Sequence, residues 1–480
     1  MVASRPAGRT IEPVLGPGGF ERRLAAAGTV ALLGLFVLFG TLAYWQVFRT
    51  DLAERDGNPR ILADFANPAR GRILDRTGNV LAASQPDGSR QYGDPSWAHL
   101  VGYLDARFGS QGAELAFNNE LSGRSGGASF EAAINAEFRR SVQRGLDVML
   151  TIDPAIQSAA VAALGQRPGA VVAIDPRNGE VLAMVSYPTY SPGLLAEQGD
   201  ALVADPASPL LNRATQGLYP PGSTFKTVTA ASALDNNVIR PETIVICGEE
   251  VVIDGFPVSC RNVPQGPGTY PFKNAYTFSV NAIFAQLGVD LGWDRLLETA
   301  QDFGFGRSLP FTFDTSPTQV LAPGSERSPV LLATTAFGQG ELLATPLQMA
   351  LVAATIANDG VLVDPHVGLA TAKDGKVLDR LEQVGKHRVV SSETAAIMRD
   401  FMVSVVANGQ ANGVNFPGIQ VGGKTGTAES GTGTSHAWFI AFAPADNPVI
   451  AVAVVVENGG QGGVVASPIA GEVIRAALSR

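Results

Sequence analysis

Two β-rich regions, far apart in the sequence, most strongly constrain how this 480-residue chain can fold. The first, residues 169–186, contains two apolar runs joined by the turn sequence DPRNG, which is typical of an antiparallel hairpin. The second contains the apolar runs 437–444 and 448–458, followed by a predicted helix at 468–479 that begins with a serine cap and has Pro468 in its first turn. Because the intervening residues show mostly helical periodicity, the sequence predicts an α+β fold in which one sheet contains a helical insertion.

An uncharged segment near the N-terminus predicts a membrane anchor. Residues 24–48 contain no charged side chain, and this length is sufficient for a helix to span a bilayer. Because the segment ends in bulky aromatic residues, a retained anchor is favoured over a cleaved signal peptide. Beyond it, the residues Arg70–Ser84 predict a strand, a turn and a second strand. We therefore expect a short N-terminal segment at 1–23, a small mixed domain at 49–150 and a large domain at 151–480.

The composition excludes some functions and leaves the state of the cysteines open. A net charge of −9, with 16% charged residues, excludes the basic surface of a nucleic-acid-binding protein. Cys247 and Cys260 are the two cysteines, and they either close a small loop outside the cell or remain ordinary thiols. With four histidines and no Cys/His cluster, the sequence indicates neither a metal site nor a cofactor.

A serine and a lysine at the start of a predicted helix form the first candidate catalytic pair. In YPPGSTFKTVTAASALDNN (219–237), the prolines and glycine interrupt the chain before a helical apolar stripe, so Ser223 opens a helix. Lys226 follows one turn later on the same face. A serine hydroxyl needs a base to become nucleophilic, and lysine is such a base only when burial or a second cation lowers its pKa. The alternative is a serine cap beside a solvated lysine.

A second motif, Ser279-Val280-Asn281, places two polar side chains between apolar neighbours. At this spacing both side chains could face a cleft, where the hydroxyl would relay a proton and the amide would hold a substrate carbonyl. A pattern of three residues is common by chance. It therefore gains weight only in combination with the other motifs.

The segment GIQVGGKTGT (418–427) matches two different motifs. As G-x-x-x-x-G-K-[ST] it has the pattern of a phosphate-binding loop, but such a loop requires a helix after the lysine. The residues that follow Lys424 and Thr425 are rich in glycine and β-formers and have no helical stripe, so they predict a strand. On this strand we expect Lys424 and Thr427 to share one face and a backbone N–H to be accessible near Gly426. The sequence thus favours the Lys-Thr-Gly motif of serine acyl transfer.

The motifs S-x-x-K, S-x-N and K-T-G, in this order, resemble those of the penicillin-binding proteins, the serine acyltransferases of the bacterial cell wall. The segments RGRILDRTGNVLA, LTIDPAIQ, AVVAIDPRNGEVLAMVS and GQGELLATPLQMALVAATIANDG are similar to the class B, high-molecular-mass branch of this family. The resemblance extends over residues 68–478. It implies a transpeptidase-like antiparallel sheet with a helical subdomain, preceded by a small dimerisation-type pedestal domain and one transmembrane helix.

The resemblance also implies a role for each residue of the first two motifs. Ser223 would be the acylated nucleophile, and Lys226 would accept its proton. Ser279 and Asn281 would line the opposite wall of the cleft. No cofactor is implied for this chemistry.

The residues of the third motif would bind the substrate. Lys424, with the hydroxyls of Thr425 and Thr427, would hold the terminal carboxylate of a stem peptide that ends in D-Ala-D-Ala. Lys424 would also help to keep the nearby catalytic lysine neutral, because like charges at close range disfavour each other. The backbone N–H groups of Ser223 and Thr427 would form the oxyanion hole. Gly426, between Thr425 and Thr427, would belong to the same substrate-binding strand.

For a protein of this kind, the resemblance implies a catalytic domain outside the membrane, a cytoplasmic segment at 1–23 and inhibition by β-lactams. Arginines flank both ends of the 24–48 segment, so their distribution does not set its orientation. The residues before the large domain are too few for a glycosyltransferase domain, which implies a separate polytopic glycan polymerase as the membrane partner. Cross-linking would serve cell division or elongation, and the sequence does not distinguish these two roles.

Two other serine acyl-enzymes share the three motifs. A β-lactam-hydrolysing enzyme is usually a soluble single domain, and a β-lactam sensor would require an output domain on the other side of the membrane. Both are therefore less favoured than a D,D-transpeptidase. Outside the motifs, we expect His436 to be structural, Glu429 to be a solvated loop residue and Trp438 to pack within a strand.

Overall fold

The computed structural model describes residues 17–43, 69–123, 144–260, 266–381, 385–429, 431 and 433–479. The chain divides into two units, Met1–Asp64 and Phe65–Arg480. In the first unit, helix α1 comprises Pro17–Ala43. Over the parts of the chain that the structure describes, no helix combines the length and the apolar character needed to cross a membrane. The last five residues of the expected 24–48 span lie outside the described residues.

Within its described residues, the second unit contains two large sheets, four two-stranded sheets and a set of helices. The strands are β1 (Ile73–Leu74), β2 (Val80–Ser84), β3 (Arg90–Tyr92), β4 (Leu104–Asp105), β5 (Gly109–Ser110), β6 (Asp147–Leu150), β7 (Gly169–Ile174), β8 (Val181–Tyr187), β9 (Ile244–Cys247), β10 (Glu250–Ile253), β11 (Phe256–Ser259), β12 (Gly268–Pro271), β13 (Val361–Val363), β14 (Gly368–Lys373), β15 (Lys376–Arg380), β16 (Lys386–Arg388), β17 (Gly422–Ala428), β18 (His436–Ala443) and β19 (Ile450–Val456). The helices are α2 (Ala98–Val101), α3 (Gly112–Ala116), α4 (Asn118–Ser122), α5 (Pro154–Leu164), α6 (Leu195–Ala204), α7 (Lys226–Asp235), α8 (Phe272–Thr277), α9 (Asn281–Leu291), α10 (Trp293–Asp302), α11 (Pro329–Ala336), α12 (Pro346–Ala357), α13 (Ser392–Asn408) and α14 (Gly462–Leu478).

The larger domain is organised around a five-stranded antiparallel sheet with the order β17-β18-β19-β7-β8. The expected hairpin is present as β7–β8, and the two strands expected at 437–444 and 448–458 are present as the antiparallel pair β18–β19. The two pairs lie side by side because β19 pairs with β7. Side chains of β19 alternate between two apolar clusters: Ala451, Ala453 and Val455 on one face, Val452 and Val454 on the other. The sheet is thus covered on both faces, which explains its continuous apolar runs.

Helices cover the two faces of this sheet. Helices α5 and α14 pack on one face, and α12 packs on the other against β19 and β7. The chain from β8 to β17 forms a mostly helical insertion together with short strand pairs. This arrangement confirms the α+β fold, and the insertion brings the serine and lysine of the first motif to the edge strand β17.

The C-terminal helix begins earlier than its sequence suggests. The expected start at Pro468 is wrong, because α14 begins at Gly462 and contains Pro468 in its interior. A proline in a helix removes one backbone hydrogen bond, and this cost is offset here by burial of the helix against β18, β19 and α5. Ser467, expected as the cap, instead donates its hydroxyl to the carbonyl oxygen of Asn412.

The other large sheet has six short strands in the order β15-β14-β6-β1-β2-β3. The expected strand–turn–strand at Arg70–Ser84 is present as β1 and β2, and Asp75 accepts hydrogen bonds from Thr77 and Asn79 in the turn. The strands β14 and β15 come from residues 368–380. The sheet is therefore built from both sides of the sequence boundary expected at residue 150.

A disulfide bond joins Cys247 and Cys260, which decides between the two alternatives left open by the sequence. It links the end of β9 to the residue after β11. Two two-stranded sheets, β9–β12 and β10–β11, are thereby connected at one point. Both sulfur-bearing residues are buried.

Candidate active site

Ser223 lies in a tight turn between two prolines and helix α7. Residues Gly222–Phe225 form a 3₁₀ turn that leads directly into α7, so Ser223 precedes the helix rather than capping it. In a 3₁₀ turn, positions i and i+3 are aligned, which places Lys226 on the same side as Ser223. Gly222 has φ of 55°, and a Cβ at this position would lie 2.8 Å from the carbonyl oxygen of Thr427. Only glycine allows the turn to approach β17 this closely.

Lys226 is fully buried, with none of its surface exposed. Its Nζ donates hydrogen bonds to the Ser279 carbonyl oxygen (2.8 Å) and to Asn281 Oδ1 (2.6 Å), and it lies 3.1 Å from Ser279 Oγ. Burial, and secondly the neighbouring Lys424, lowers the pKa of Lys226 well below its usual value. A neutral amine has two N–H bonds and one lone pair. In this form the two carbonyl oxygens accept hydrogen bonds from the N–H groups, and the lone pair is left for a hydroxyl proton, with Ser279 Oγ as the third neighbour.

Ser279 and Asn281 are positioned by the junction between α8 and α9. Ser279 adopts a left-handed conformation with φ of 60°, which is uncommon for a residue with a side chain, and Asn281 begins α9. The Ser279 N–H donates to the Tyr276 carbonyl, and Tyr276 Oη lies 2.9 Å from Thr227 Oγ1 of α7. These contacts hold the S-x-N motif against the helix that carries Lys226.

Lys424 lies in the middle of β17 and is also fully buried. Its Nζ donates to Ser279 Oγ (2.9 Å) and to the Thr425 carbonyl oxygen (2.9 Å). Burial lowers the pKa of Lys424 to about 7. Ser279 Oγ thus lies between the amines of Lys226 and Lys424, so the three motifs meet at one hydroxyl group.

The expectation that Lys424 and Thr427 share one face of the strand is wrong. Side chains on a strand alternate with a period of two, so Thr425 and Thr427 point together into the cleft while Lys424 points to the buried face. Gly426 lies where a Cβ would approach the Pro221 carbonyl oxygen to 2.9 Å, so it permits close packing of the serine turn. Because Lys424 and Thr425 lie within a strand, the phosphate-loop alternative is excluded.

The carbonyl oxygen of Thr427 also indicates the direction of its N–H group. In a strand the N–H and C=O of one residue point to the same side, since paired residues exchange both hydrogen bonds. The Thr427 carbonyl lies next to Gly222, so its N–H faces the serine turn rather than β18. This is the position expected for one donor of an oxyanion hole, with the Ser223 N–H as the other.

Five of the expected site residues line a single cleft of about 590 Å³: Ser223, Ser279, Asn281, Thr425 and Thr427. Lys226 and Lys424 are buried beneath it. Sequence reasoning missed most of the other lining groups, among them Phe256–Ser259 on β11, Phe278, Phe337 and Gln410. Their proximity results from long-range packing, and no local pattern signalled it.

Three residues near the motifs were expected to have no catalytic role: His436, Trp438 and Glu429. His436 accepts a hydrogen bond from the Asn458 N–H at Nδ1, and its ring contacts Tyr219 edge-on, which agrees with a structural role. Trp438 is buried, and its Nε1 donates to the Pro220 carbonyl oxygen (3.0 Å), so it supports the serine turn. Glu429 is exposed as expected, but it also lines the cleft.

Comparison with known proteins identifies the family. A protein-family model described as the penicillin-binding protein transpeptidase domain matches residues 169–475, which is more than half of the chain. The peptidoglycan D,D-transpeptidase PbpA of Mycolicibacterium smegmatis is 38% identical, with 95% of this chain and 98% of the relative covered. The chain belongs to the class B penicillin-binding proteins. A second family model, the penicillin-binding protein A dimerisation domain, matches residues 70–148.

Solved structures agree with this assignment. Penicillin-binding protein A from Mycobacterium tuberculosis, solved as an imipenem acyl-enzyme complex, superimposes with a TM-score of 0.78 at 35% identity, covering 87% of this chain and 100% of that one. The D,D-transpeptidase MrdA of Escherichia coli is 31% identical over 84% of this penicillin-binding protein and 68% of its own length. The five-stranded sheet and the cleft beside β17 thus belong to a shared transpeptidase domain.

Proposed function

We propose that this penicillin-binding protein cross-links peptidoglycan stem peptides through an acyl-enzyme on Ser223. The observation that carries the proposal is the environment of the buried Lys226 amine. Both of its N–H bonds have carbonyl acceptors on the S-x-N motif, and its lone pair is left for a proton from a hydroxyl group. Burial lowers the pKa of this amine, which favours the base that a serine nucleophile requires.

In the acylation step, Ser223 Oγ attacks the carbonyl carbon of the penultimate D-Ala while Lys226 Nζ takes the hydroxyl proton. The tetrahedral oxyanion accepts hydrogen bonds from the N–H groups of Ser223 and Thr427. In comparable enzymes each such donor contributes about 2.7–4 kcal/mol to transition-state stabilisation. The C–N bond to the terminal D-Ala then breaks, which leaves an ester on Ser223.

The leaving amine requires a proton, and Ser279 is placed to deliver it. Its hydroxyl lies 3.1 Å from the Lys226 amine and 2.9 Å from the Lys424 amine. The proton taken from Ser223 therefore passes from Lys226 through Ser279 Oγ to the departing D-Ala nitrogen. In the second half-reaction an acceptor amine attacks the ester, and its proton returns to Ser223 by the reverse route.

Substrate binding follows from the groups that line the cleft. The Oδ1 atom of Asn281 is occupied by Lys226, so its amide nitrogen is the group left to hold the substrate carbonyl. The hydroxyls of Thr425 and Thr427, with the charge of Lys424 behind them, would bind the terminal carboxylate. β-Lactams would acylate Ser223 at the same position, as their acyl-enzyme complexes with the mycobacterial relative suggest.

The location and the membrane partner belong to the same proposal. The uncharged 24–48 segment would anchor the protein in the cell membrane, with residues 1–23 in the cytoplasm and the catalytic domain outside, where the substrate lies. The apolar side chains of Leu32 and Val37 on α1 are exposed, which supports burial in lipid. A polytopic glycan polymerase would supply the strands that are cross-linked during division or elongation.

Covalent labelling with a fluorescent penicillin tests the proposal. The purified full-length protein and a Ser223→Ala variant would be labelled, and the loss of the label would be followed over hours. We expect a long-lived adduct on the wild type and none on the variant, together with release of D-Ala from a peptide that ends in D-Ala-D-Ala. Rapid loss of the label would indicate a β-lactam hydrolase, and a stable adduct without D-Ala release would indicate a sensor. Equal labelling of the variant would refute the role of Ser223.

A further inference from the structure

A disulfide-linked hairpin forms part of the cleft that contains Ser223. The hairpin consists of β10, β11 and the turn between them, residues 250–259, and it is referred to below as the cleft hairpin. Phe256, Pro257 and Val258 of β11 line the same cleft as Ser223. None of them belongs to the three motifs. Their contacts during the reaction are therefore not explained by those motifs.

The position of the cleft hairpin is determined at both of its ends. At the tip, Asp254 and Gly255 have φ of 49° and 82°, the conformation of a tight two-residue turn. At the base, the Cys247–Cys260 disulfide ties the hairpin to β9, and the Cys260 N–H donates to the Glu249 carbonyl (2.9 Å). Strand β9 is in turn held by four residue pairs with β12.

The cleft hairpin also rests on the helix that carries the second motif. Both β10 and β11 pack against α9, whose first residue is Asn281. Ile253 and Val258 are the buried residues on this side, and both belong to the main apolar core. The disulfide, the β9–β12 pair and this packing together fix where β11 stands relative to Asn281. A two-stranded hairpin without such support has little stability of its own.

Three of the four residues that this wall contributes to the cleft are apolar, and the fourth is Ser259. Phe256 has 40% of its surface exposed, although phenylalanine is usually buried. Phe278 and Phe337 line other parts of the same cleft, and Glu429 is the one charged side chain among its described lining residues, where the other polar groups are hydroxyls and amides. When an aliphatic group of the substrate covers an exposed phenyl ring in a cleft, the burial of apolar surface makes the free energy of binding more favourable.

We propose that the cleft hairpin is a specificity-determining wall that contacts an aliphatic side chain on the residue preceding D-Ala-D-Ala, and that the disulfide positions this wall. Phe256 is the contacting residue, while Cys247 and Cys260 act through it. The proposal rests on the transpeptidase function proposed above, because it assigns a subsite for the acyl donor of that reaction. Its effect is on donor recognition and not on the proton transfers at Ser223.

Two synthetic donors that differ only in the side chain at this residue test the contact. N-acetyl-norleucyl-D-Ala-D-Ala carries an uncharged four-carbon side chain, and N-acetyl-glycyl-D-Ala-D-Ala carries none. D-Ala release would be measured for full-length wild type, Phe256→Ala and Val252→Ala. Val252 is the matched control, because it is an exposed apolar residue of the same hairpin (57%) that does not line the cleft.

We expect wild type and Val252→Ala to prefer the norleucyl donor, and Phe256→Ala to lose about tenfold of that preference in kcat/KM. The loss should appear in KM, with kcat for the glycyl donor unchanged. A preference that is the same in Phe256→Ala and in wild type would overturn the proposal, and so would an equal loss of activity on both donors. If wild type releases D-Ala from neither donor, the transpeptidase function itself fails together with the subsite.

The role of the disulfide is tested by a Cys247→Ala/Cys260→Ala double variant and by its combination with Phe256→Ala. If the disulfide acts by positioning Phe256, the double variant loses the same donor preference and the triple variant loses no more. A purely structural disulfide would lower the melting temperature and leave the donor preference intact, which contradicts the proposal. If the double variant does not fold, the same comparison can be made with wild type reduced by dithiothreitol. The reagent opens the disulfide to two thiols and is itself oxidised to a cyclic disulfide.

Discussion

Replacing Lys424 with methionine should change the pH dependence of acylation by way of Lys226. The two amines each contact Ser279 Oγ, at 3.1 Å and 2.9 Å. Their nitrogens are therefore no more than about 6 Å apart, where two unit charges repel each other by about 2.8 kcal/mol at an effective dielectric constant of about 20. Without Lys424, the pKa of Lys226 rises towards the value that burial alone sets.

The direction of the effect on the rate follows from the role of Lys226 as a base. Lys226 accepts the Ser223 proton only when it is neutral, so acylation is lost as the pH falls through its pKa. In Lys424→Met, the midpoint of the acidic limb should move to higher pH, because the charge that disfavours protonation of Lys226 is removed. The assay is the second-order rate constant for labelling by a fluorescent penicillin, measured from pH 5 to pH 10.

A matched control separates the electrostatic effect from the loss of carboxylate binding. Thr425→Ala removes a hydroxyl that would hold the substrate carboxylate but leaves the charge of Lys424 in place. This variant should lower the rate at every pH without moving the midpoint. If the midpoint of Lys424→Met is unchanged or lies at lower pH, the argument that Lys424 depresses the pKa of Lys226 is refuted.

Three further predictions concern stability. Lys424→Met should raise the melting temperature more at pH 7 than at pH 10. Burial lowers the pKa of Lys424 to about 7, so at pH 7 folding must remove a proton that the unfolded lysine keeps or bury its charge, and this cost in folding free energy falls as the pH rises towards the pKa of the unfolded lysine. Gly338→Ala should lower the urea midpoint and abolish penicillin labelling, since its Cβ would lie 1.8 Å from the Gly222 carbonyl oxygen; a stable, labelled variant would contradict the close approach. Arg70→Met should cost about 3 kcal/mol in urea unfolding, because it removes a buried partner (2.8 Å) from the Glu114 carboxylate; a loss below about 1 kcal/mol would show that Glu114 is satisfied without it.

Local sequence patterns were sufficient for the elements that flank the site. The hairpin β7–β8 and the strands β18 and β19 were predicted from apolar runs and turn residues, and the strand after residue 421 from the absence of a helical stripe. Two local interpretations were wrong. The proline at 468 did not start a helix, because burial of α14 outweighs the hydrogen bond that proline removes. Lys424 and Thr427 do not share a face, because a strand alternates with a period of two.

The sequence by itself indicated the candidate catalytic residues, since Ser223, Lys226, Ser279, Asn281 and Lys424 lie in motifs that can be recognised one segment at a time. Their order and spacing, with the flanking segments, were enough to indicate the family. The glycines that allow the close approach of the serine turn to β17, Gly222 and Gly426, also lie within these motif segments.

Only the tertiary structure decided how these residues act on one another. It brought the amines of Lys226 and Lys424 to one hydroxyl group, formed the Cys247–Cys260 disulfide and placed Phe256 in the cleft. The physical reason is that a pKa, a disulfide or a cleft wall depends on burial and on distances between segments that are remote in the chain. A local pattern records the periodicity of one segment and contains no information about those distances.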